Sequence, residues 1–102
     1  MITHVVFFWL KTPDSTEDRD RLISGVRELA AIEVVRSLKV GVPADTEARD
    51  VVDSSYDVSE IITFDTAADE SIYQTHPLHE HFIAQHGHLW SRVVVYDIAD
   101  VG

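Results

Sequence analysis

Residues Tyr73 to Phe82, Tyr-Gln-Thr-His-Pro-Leu-His-Glu-His-Phe, hold three of the six histidines of a 102-residue chain, His76, His79 and His81, together with a tyrosine and a proline. Proline disfavours helical backbone at the residue before it and is comfortable at the first helical position, so the pattern predicts a break at His76 and a helix restarting at Pro77. His79 then lies in the first turn of that helix. There the positive end of the helix dipole and partial burial both favour the neutral imidazole, a competent base near pH 7. If Tyr73 ends the preceding helix on the same side, its phenol can donate to a substrate carbonyl while His79 removes a proton from the adjacent carbon. His4, near the start of the chain, can orient His79 or carry its proton. This is enolisation or aldol chemistry, and it needs no cofactor.

Each residue also has a structural reading. His79 can be a first-turn side chain satisfied by a carbonyl, His4 a strand histidine supporting Tyr73 or His79, and Tyr73 a core aromatic whose hydroxyl finds a polar partner. His76 reads as a helix-break cap as well as a pocket residue, and His81 as solvated. A metal site is not expected. His79 and His86 are seven apart and His88 follows, but no two histidines are four apart, and His86 and His88 straddle Gly87 at a helix end. The acidic residues Asp45, Glu47, Asp50 and Asp53 lack the spacing of a calcium loop.

The elements that must position these residues follow from periodicity. Ile2–Lys11 is β-branched and aromatic and ends at Thr12-Pro13-Asp14, which predicts a strand with His4, Val6, Phe8 and Leu10 on one face and Thr3, Val5, Phe7 and Trp9 on the other. Asp14 or Ser15 caps a helix carrying Leu22, Ile23, Val26, Leu29 and Ala30 on one stripe. Val34–Val42 reads as a second strand and Ala44–Ser55 as an exposed acidic loop. Tyr56–Asp65 reads as a third strand with Val58, Ile62 and Phe64 on one face. Asp65 or Thr66 then caps a helix over Ala67–Thr75, a second short helix runs from Pro77 to His86, and Leu89–Ile98 is the last strand.

Strand, helix, strand, strand, helix, strand, with right-handed crossovers, gives an α+β, ferredoxin-like βαββαβ subunit: a four-stranded antiparallel sheet with helices on one face. The chain is one domain over residues 1–102. Because the first strand is apolar on both faces and one helix layer covers only one of them, the open face predicts a homodimer in which two sheets pack together.

Composition limits the partners. Eighteen acidic residues against eight basic ones give a formal charge of −10, which repels nucleic acid and anionic membrane. There is no cysteine, so disulfides, thiolate catalysis and zinc-thiolate sites are excluded together. Met1-Ile2-Thr3-His4 has no basic leader character, and no apolar run approaches the ~20 residues of a membrane span. The expectation is a cytoplasmic protein with a small-molecule ligand and itself as partner.

The opening Ile2-Thr3-His4-Val5-Val6-Phe7-Phe8-Trp9-Leu10-Lys11, the Leu38-Lys39-Val40-Gly41 strand, Tyr73-Gln74-Thr75-His76-Pro77-Leu78-His79 with Phe82, and the closing Val93-Val94-Val95-Tyr96-Asp97 together resemble the stress-responsive A/B barrel family, the dimeric α/β barrel proteins often abbreviated Dabb. The resemblance implies a ferredoxin-like subunit and a dimer whose sheets form a barrel. It also implies a pocket akin to that of a polyketide cyclase of the family that closes a ring by aldol condensation without a metal. The pocket residues of that cyclase match His4, Tyr73 and His79 here, while its pocket tyrosine from the first helix has no match, Gly25 lying near that position. The expected site is therefore His79, Tyr73 and His4 as catalytic groups, with His76, Phe8, Phe82 and Trp90 against the substrate. The competing expectation is a non-catalytic, stress-associated dimeric or ligand-binding protein with structural histidines. A cavity of roughly 300 Å³ or more beside His79 favours the enzyme, and one filled by Phe8, Ile23, Phe82 or Trp90 favours the other.

Overall fold

In a computed structural model describing residues 1–102, strand β1 (Ile2–Leu10) occupies an interior position in a four-stranded sheet. It pairs antiparallel with β3 (Val58–Phe64) on one side and with β4 (Trp90–Ala99) on the other, and β2 (Ser37–Gly41) pairs antiparallel with β3, giving the order β2-β3-β1-β4. This is the ferredoxin-like arrangement. Its two crossovers carry α1 (Thr16–Glu28) and the consecutive pair α2 (Ala67–Thr75) and α3 (Pro77–His86).

The caps explain where the helices begin. Ser15 Oγ accepts from the Asp18 amide at 3.1 Å, and Thr66 Oγ1 accepts from the Asp69 amide at 3.1 Å, each satisfying one of the otherwise free first-turn donors. His76 is extended, with φ −66° and ψ 140°, and both ends α2 and opens α3. Its Nδ1 accepts from the Leu78 amide at 3.1 Å, and Pro77 in the first turn forfeits no hydrogen bond.

Strand alternation sends His4, Val6, Phe8 and Leu10 to the helix side, where all four are buried. They pack with Leu22 and Val26 of α1, Val58, Ile62 and Phe64 of β3, Tyr73 of α2 and Phe82 of α3. At roughly 1.5–3 kcal/mol for each fully buried large apolar side chain, this single layer is the main favourable contribution to folding. The opposite face is uncovered: Val5, Phe7 and Trp9 are only half-buried, and Ile61, Tyr96 and Ile98 are exposed.

Two strand boundaries differ from expectation by more than one residue. The second strand is confined to Ser37–Gly41, because the Val35 amide donates to the Ile32 carbonyl at 3.0 Å and closes a turn; Val34 and Val35 pack half-buried against the core instead of extending the strand. The third strand starts at Val58, since Asp57 is used as a brace, its side chain accepting from the Leu10 amide at 2.7 Å and its own amide donating to the Phe8 carbonyl at 2.8 Å. No helix is long and apolar enough to cross a membrane.

Candidate active site

A cavity of about 180 Å³ lies between the helix-side face of the sheet and the α2–α3 pair, next to the strand β4 edge. Its polar wall is His4, Glu60, Gln74 and His79, and its apolar wall is Val6, Phe8, Phe82, Ile83, Trp90, Val93 and Val95. Val93 and Val95 stand opposite Phe8 and Val6 on the neighbouring strand, yet both stay more than two-fifths exposed. The helices therefore leave the β4 side uncovered.

The break at His76 brings Tyr73 and His79 together. Their ring centroids are 4.7 Å apart in an edge-on contact, and the Tyr73 ring also meets His4 at 5.8 Å and Phe64 at 5.1 Å. His79 lines the cavity, and its Nδ1 is buried without a hydrogen-bond partner. Burial, followed by the proximity of His4, holds the His79 pKa below its ordinary value, against the opposing pull of the Gln74 carbonyl, Glu70 and Glu80. Burial is thus the leading cause of the neutral imidazole.

His4 is 4% exposed, and its Nδ1 donates to Asp97 Oδ1 at 2.5 Å, a pairing set by the β1–β4 register in which His4 and Asp97 are directly opposite. A carboxylate can only accept, so a ring proton is held at Nδ1, and Nε2 is the nitrogen turned away from Asp97. That nitrogen lies 3.9 Å from Glu60 Oε2.

Glu60 carries the largest surprise. It is 2% exposed, and burial raises its pKa to about 8, partly offset by the Tyr73 phenol that faces it. The same pairing, together with burial, pushes the Tyr73 phenol upward, so it stays protonated. Alternation along β3 contains the signal for Glu60: it shares the parity of Val58, Ile62 and Phe64. Gln74 and Asp97 likewise join the site without a sequence signal of their own.

The expected residues are not all in the cavity wall. His79, His4, Phe8, Phe82 and Trp90 line it. Tyr73, 1% exposed, stands edge-on to His4 and His79 with its phenol towards Glu60 and is not among the side chains that line the cavity. His76 is withdrawn altogether: its Nδ1 caps α3 and its Nε2 reaches Glu33 at 3.0 Å, both on the outside of the break. Ile23 is half-buried and does not fill the cavity, whereas Phe8, Phe82 and Trp90 narrow it, with Phe82 and Trp90 stacked at 5.7 Å and Phe8 and Trp90 5.0 Å apart. The volume is therefore below the roughly 300–1,000 Å³ of common ligand pockets. Gly25 faces the His86 ring; a Cβ there would stand 2.5 Å from two of its atoms.

The side chains nearest to a metal-ligand geometry are His4, Glu70 and Asp97, whose ligand atoms lie within 4.8 Å of one another, but His4 Nδ1 is already bonded to Asp97. His79 and His86, the histidines seven residues apart, are not in that group, and His86 is turned towards Phe82 and Gly25.

Fold and cavity together define a ferredoxin-like α+β subunit with a histidine- and carboxylate-walled pocket under its second helical crossover. The chain belongs to the stress responsive A/B barrel domain family, whose model matches residues 2–100. Among solved structures it is similar to a protein of Arabidopsis thaliana at 21% identity, covering 100% of this chain and 97% of that one with a TM-score of 0.81. It is similar also to the hydroxynitrile lyase of Passiflora edulis at 20% identity, covering 99% and 94% with a TM-score of 0.81. A Dabb family protein of Mesorhizobium loti with a ferredoxin-like fold is 21% identical over 99% and 97% with a TM-score of 0.79. No curated protein sequence matches the chain significantly.

Proposed function

We propose that this protein is a cofactor-independent, lyase- or cyclase-type enzyme acting by acid–base chemistry on a small enolisable carbonyl compound. The observation that carries the reading is the half-buried His79, its pKa held below the ordinary value, lining a mostly apolar cavity with Nδ1 buried; Nε2 is then the nitrogen available as a base. Such a nitrogen can take a proton from a carbon next to a carbonyl. The 180 Å³ volume selects a compound of about one ring in place of an extended polyketide. Lyase chemistry on this fold is represented by the hydroxynitrile lyase of Passiflora edulis.

The working unit is a homodimer built through the open sheet face into an α/β barrel. Supporting this are the apolar residues left uncovered there, Val5, Phe7, Trp9, Ile61, Tyr96 and Ile98, and the relatives from Thermobifida fusca, Bacteroides fragilis and Jannaschia described as dimeric ferredoxin-like proteins. The acidic surface makes nucleic acid and anionic membrane poor partners, and a cytoplasmic location fits the absence of cysteine.

Thermal shift with single-ring aldehydes and ketones on wild type and on His79→Ala tests the reading. A compound that stabilises wild type and loses its effect in the variant supports a working site at His79. No stabilisation by any member of the set, with the variant folded, favours the second reading, a non-catalytic dimer. The narrowing of the cavity by Phe8, Phe82 and Trp90 is the observation on that side.

A further inference from the structure

We propose that Glu60 is the acid of this cavity, donating a hydrogen bond and then its proton to the oxygen of the bound carbonyl compound while His79 takes the proton from the adjacent carbon. The inference rests on the reading of the cavity as an acid–base site and places the hydrogen-bond donor on β3, in the cavity wall.

Glu60 occupies a position where β3 otherwise presents Val58, Ile62 and Phe64, all fully buried. A carboxyl placed there for structure alone would be matched by a lysine, an arginine or backbone amides. Glu60 has none of these: its one neighbour within ion-pair range is His4, at 3.9 Å, and its other polar neighbour is the Tyr73 phenol. A buried, unpaired carboxylate is costly, and the group avoids that cost by remaining protonated, its pKa raised to about 8. A neutral carboxylic acid in an apolar cavity is a hydrogen-bond donor aimed at the contents of the cavity.

The step balances without any further reagent. The C–H bond breaks and its proton passes to His79 Nε2, the electron pair forms the C=C bond, and the carbonyl π pair becomes an O–H bond with the proton of Glu60. The site is left with an imidazolium and a carboxylate, opposite charges in one cavity, and ketonisation returns both protons.

The probe is 3,4-dinitrophenolate, a one-ring oxyanion that resembles an enolate and is ionised at every pH used; its absorbance reads binding to wild type, Glu60→Gln, Glu60→Leu and His79→Ala. The groups that face Glu60 are His4 of β1, Tyr73 of α2 and His79 of α3, with Asp97 of β4 beyond His4 and Glu70 beyond Tyr73. All of them persist in Glu60→Gln. Wild-type affinity is expected to fall as the pH rises through about 8, where Glu60 loses its proton, while Glu60→Gln, which keeps a donor and cannot ionise, stays flat. Glu60→Leu is expected to bind roughly ten- to hundredfold more weakly at neutral pH, the loss of one hydrogen bond to a charged acceptor. Equal affinities and matching pH profiles in wild type and the Glu60 variants overturn the role of Glu60 while leaving the site reading in place. If wild type itself does not bind, the site reading falls and this inference with it. Should Glu60→Leu fail to fold, the comparison of the wild-type and Glu60→Gln pH profiles decides alone.

Discussion

Glu60→Gln should change how stability depends on pH. Between its ordinary 4.5 and about 8, the folded chain holds a proton on Glu60 that the unfolded chain has released. Folding is therefore coupled to proton uptake, and stability is fully present below pH 4.5 and declines as the pH rises through about 8. The slope is about 1.4 kcal/mol per pH unit, so the whole window is worth on the order of 5 kcal/mol. That is a large share of the ~5–15 kcal/mol of a domain this size. His79 acts with the opposite sign: its pKa is lowered on folding, so stability rises with pH up to about its ordinary 6.5. Both proteins contain His79, and the difference between them isolates Glu60. Glutamine has the same shape and no charge, so Glu60→Gln should match wild type near pH 4.5 and exceed it by several kcal/mol at pH 8. Urea unfolding followed by tryptophan fluorescence, at one fixed protein concentration because association adds its own stability, gives the two curves. Parallel curves from pH 4.5 to 8 would show that Glu60 titrates as an ordinary glutamate and would refute the reasoning about its burial.

The remaining predictions concern its neighbours and the two faces of the sheet. Tyr73→Phe keeps the ring contacts with His4, Phe64 and His79 but removes the phenol that lowers the Glu60 pKa, so the decline in stability should continue to higher pH than in wild type, with about 1 kcal/mol lost above pH 8; the same unfolding series, extended upward, measures it. Phe7→Glu places a charge on the open face between Tyr56 and Tyr96 and opposite Val94, and should convert a dimer into a monomer in light scattering; a monomeric wild type at micromolar concentration would contradict the barrel. Gly25→Ala gains about 1 kcal/mol of helix propensity but drives a methyl into the His86 ring, an overpacking cost of about 1–3 kcal/mol, so a net loss is expected in thermal unfolding. Adding His86→Ala should turn that loss into a gain.

These predictions separate what was legible along the chain from what arises only between strands. Local signals were enough for the frame. Pro77 after His76 marked the break, Ser15 and Thr66 were both among the expected caps, and alternation put Val6, Phe8 and Leu10 on one face with His4. Rings brought together by that local break, Tyr73 and His79, were legible for the same reason, being six residues apart across a single proline.

The carboxylates were not legible, and the reason is physical. Asp97 meets His4 only because an antiparallel pairing ninety-three residues apart in sequence sets them opposite each other, while its neighbours Tyr96 and Ile98 point to the open face. Glu60 had a readable parity, but an acidic residue is normally assigned to solvent because burying its charge costs several kcal/mol. Here neutrality avoids most of that cost, and the strand alternation holds. Tyr73 meets Glu60 for the same reason: the pairing of β3 with β1 brings a carboxyl towards its hydroxyl. A motif read along one segment can thus bring His79 and Tyr73 together, whereas the carboxyl beside them in the site comes from the register of a strand that shares no sequence neighbourhood with it.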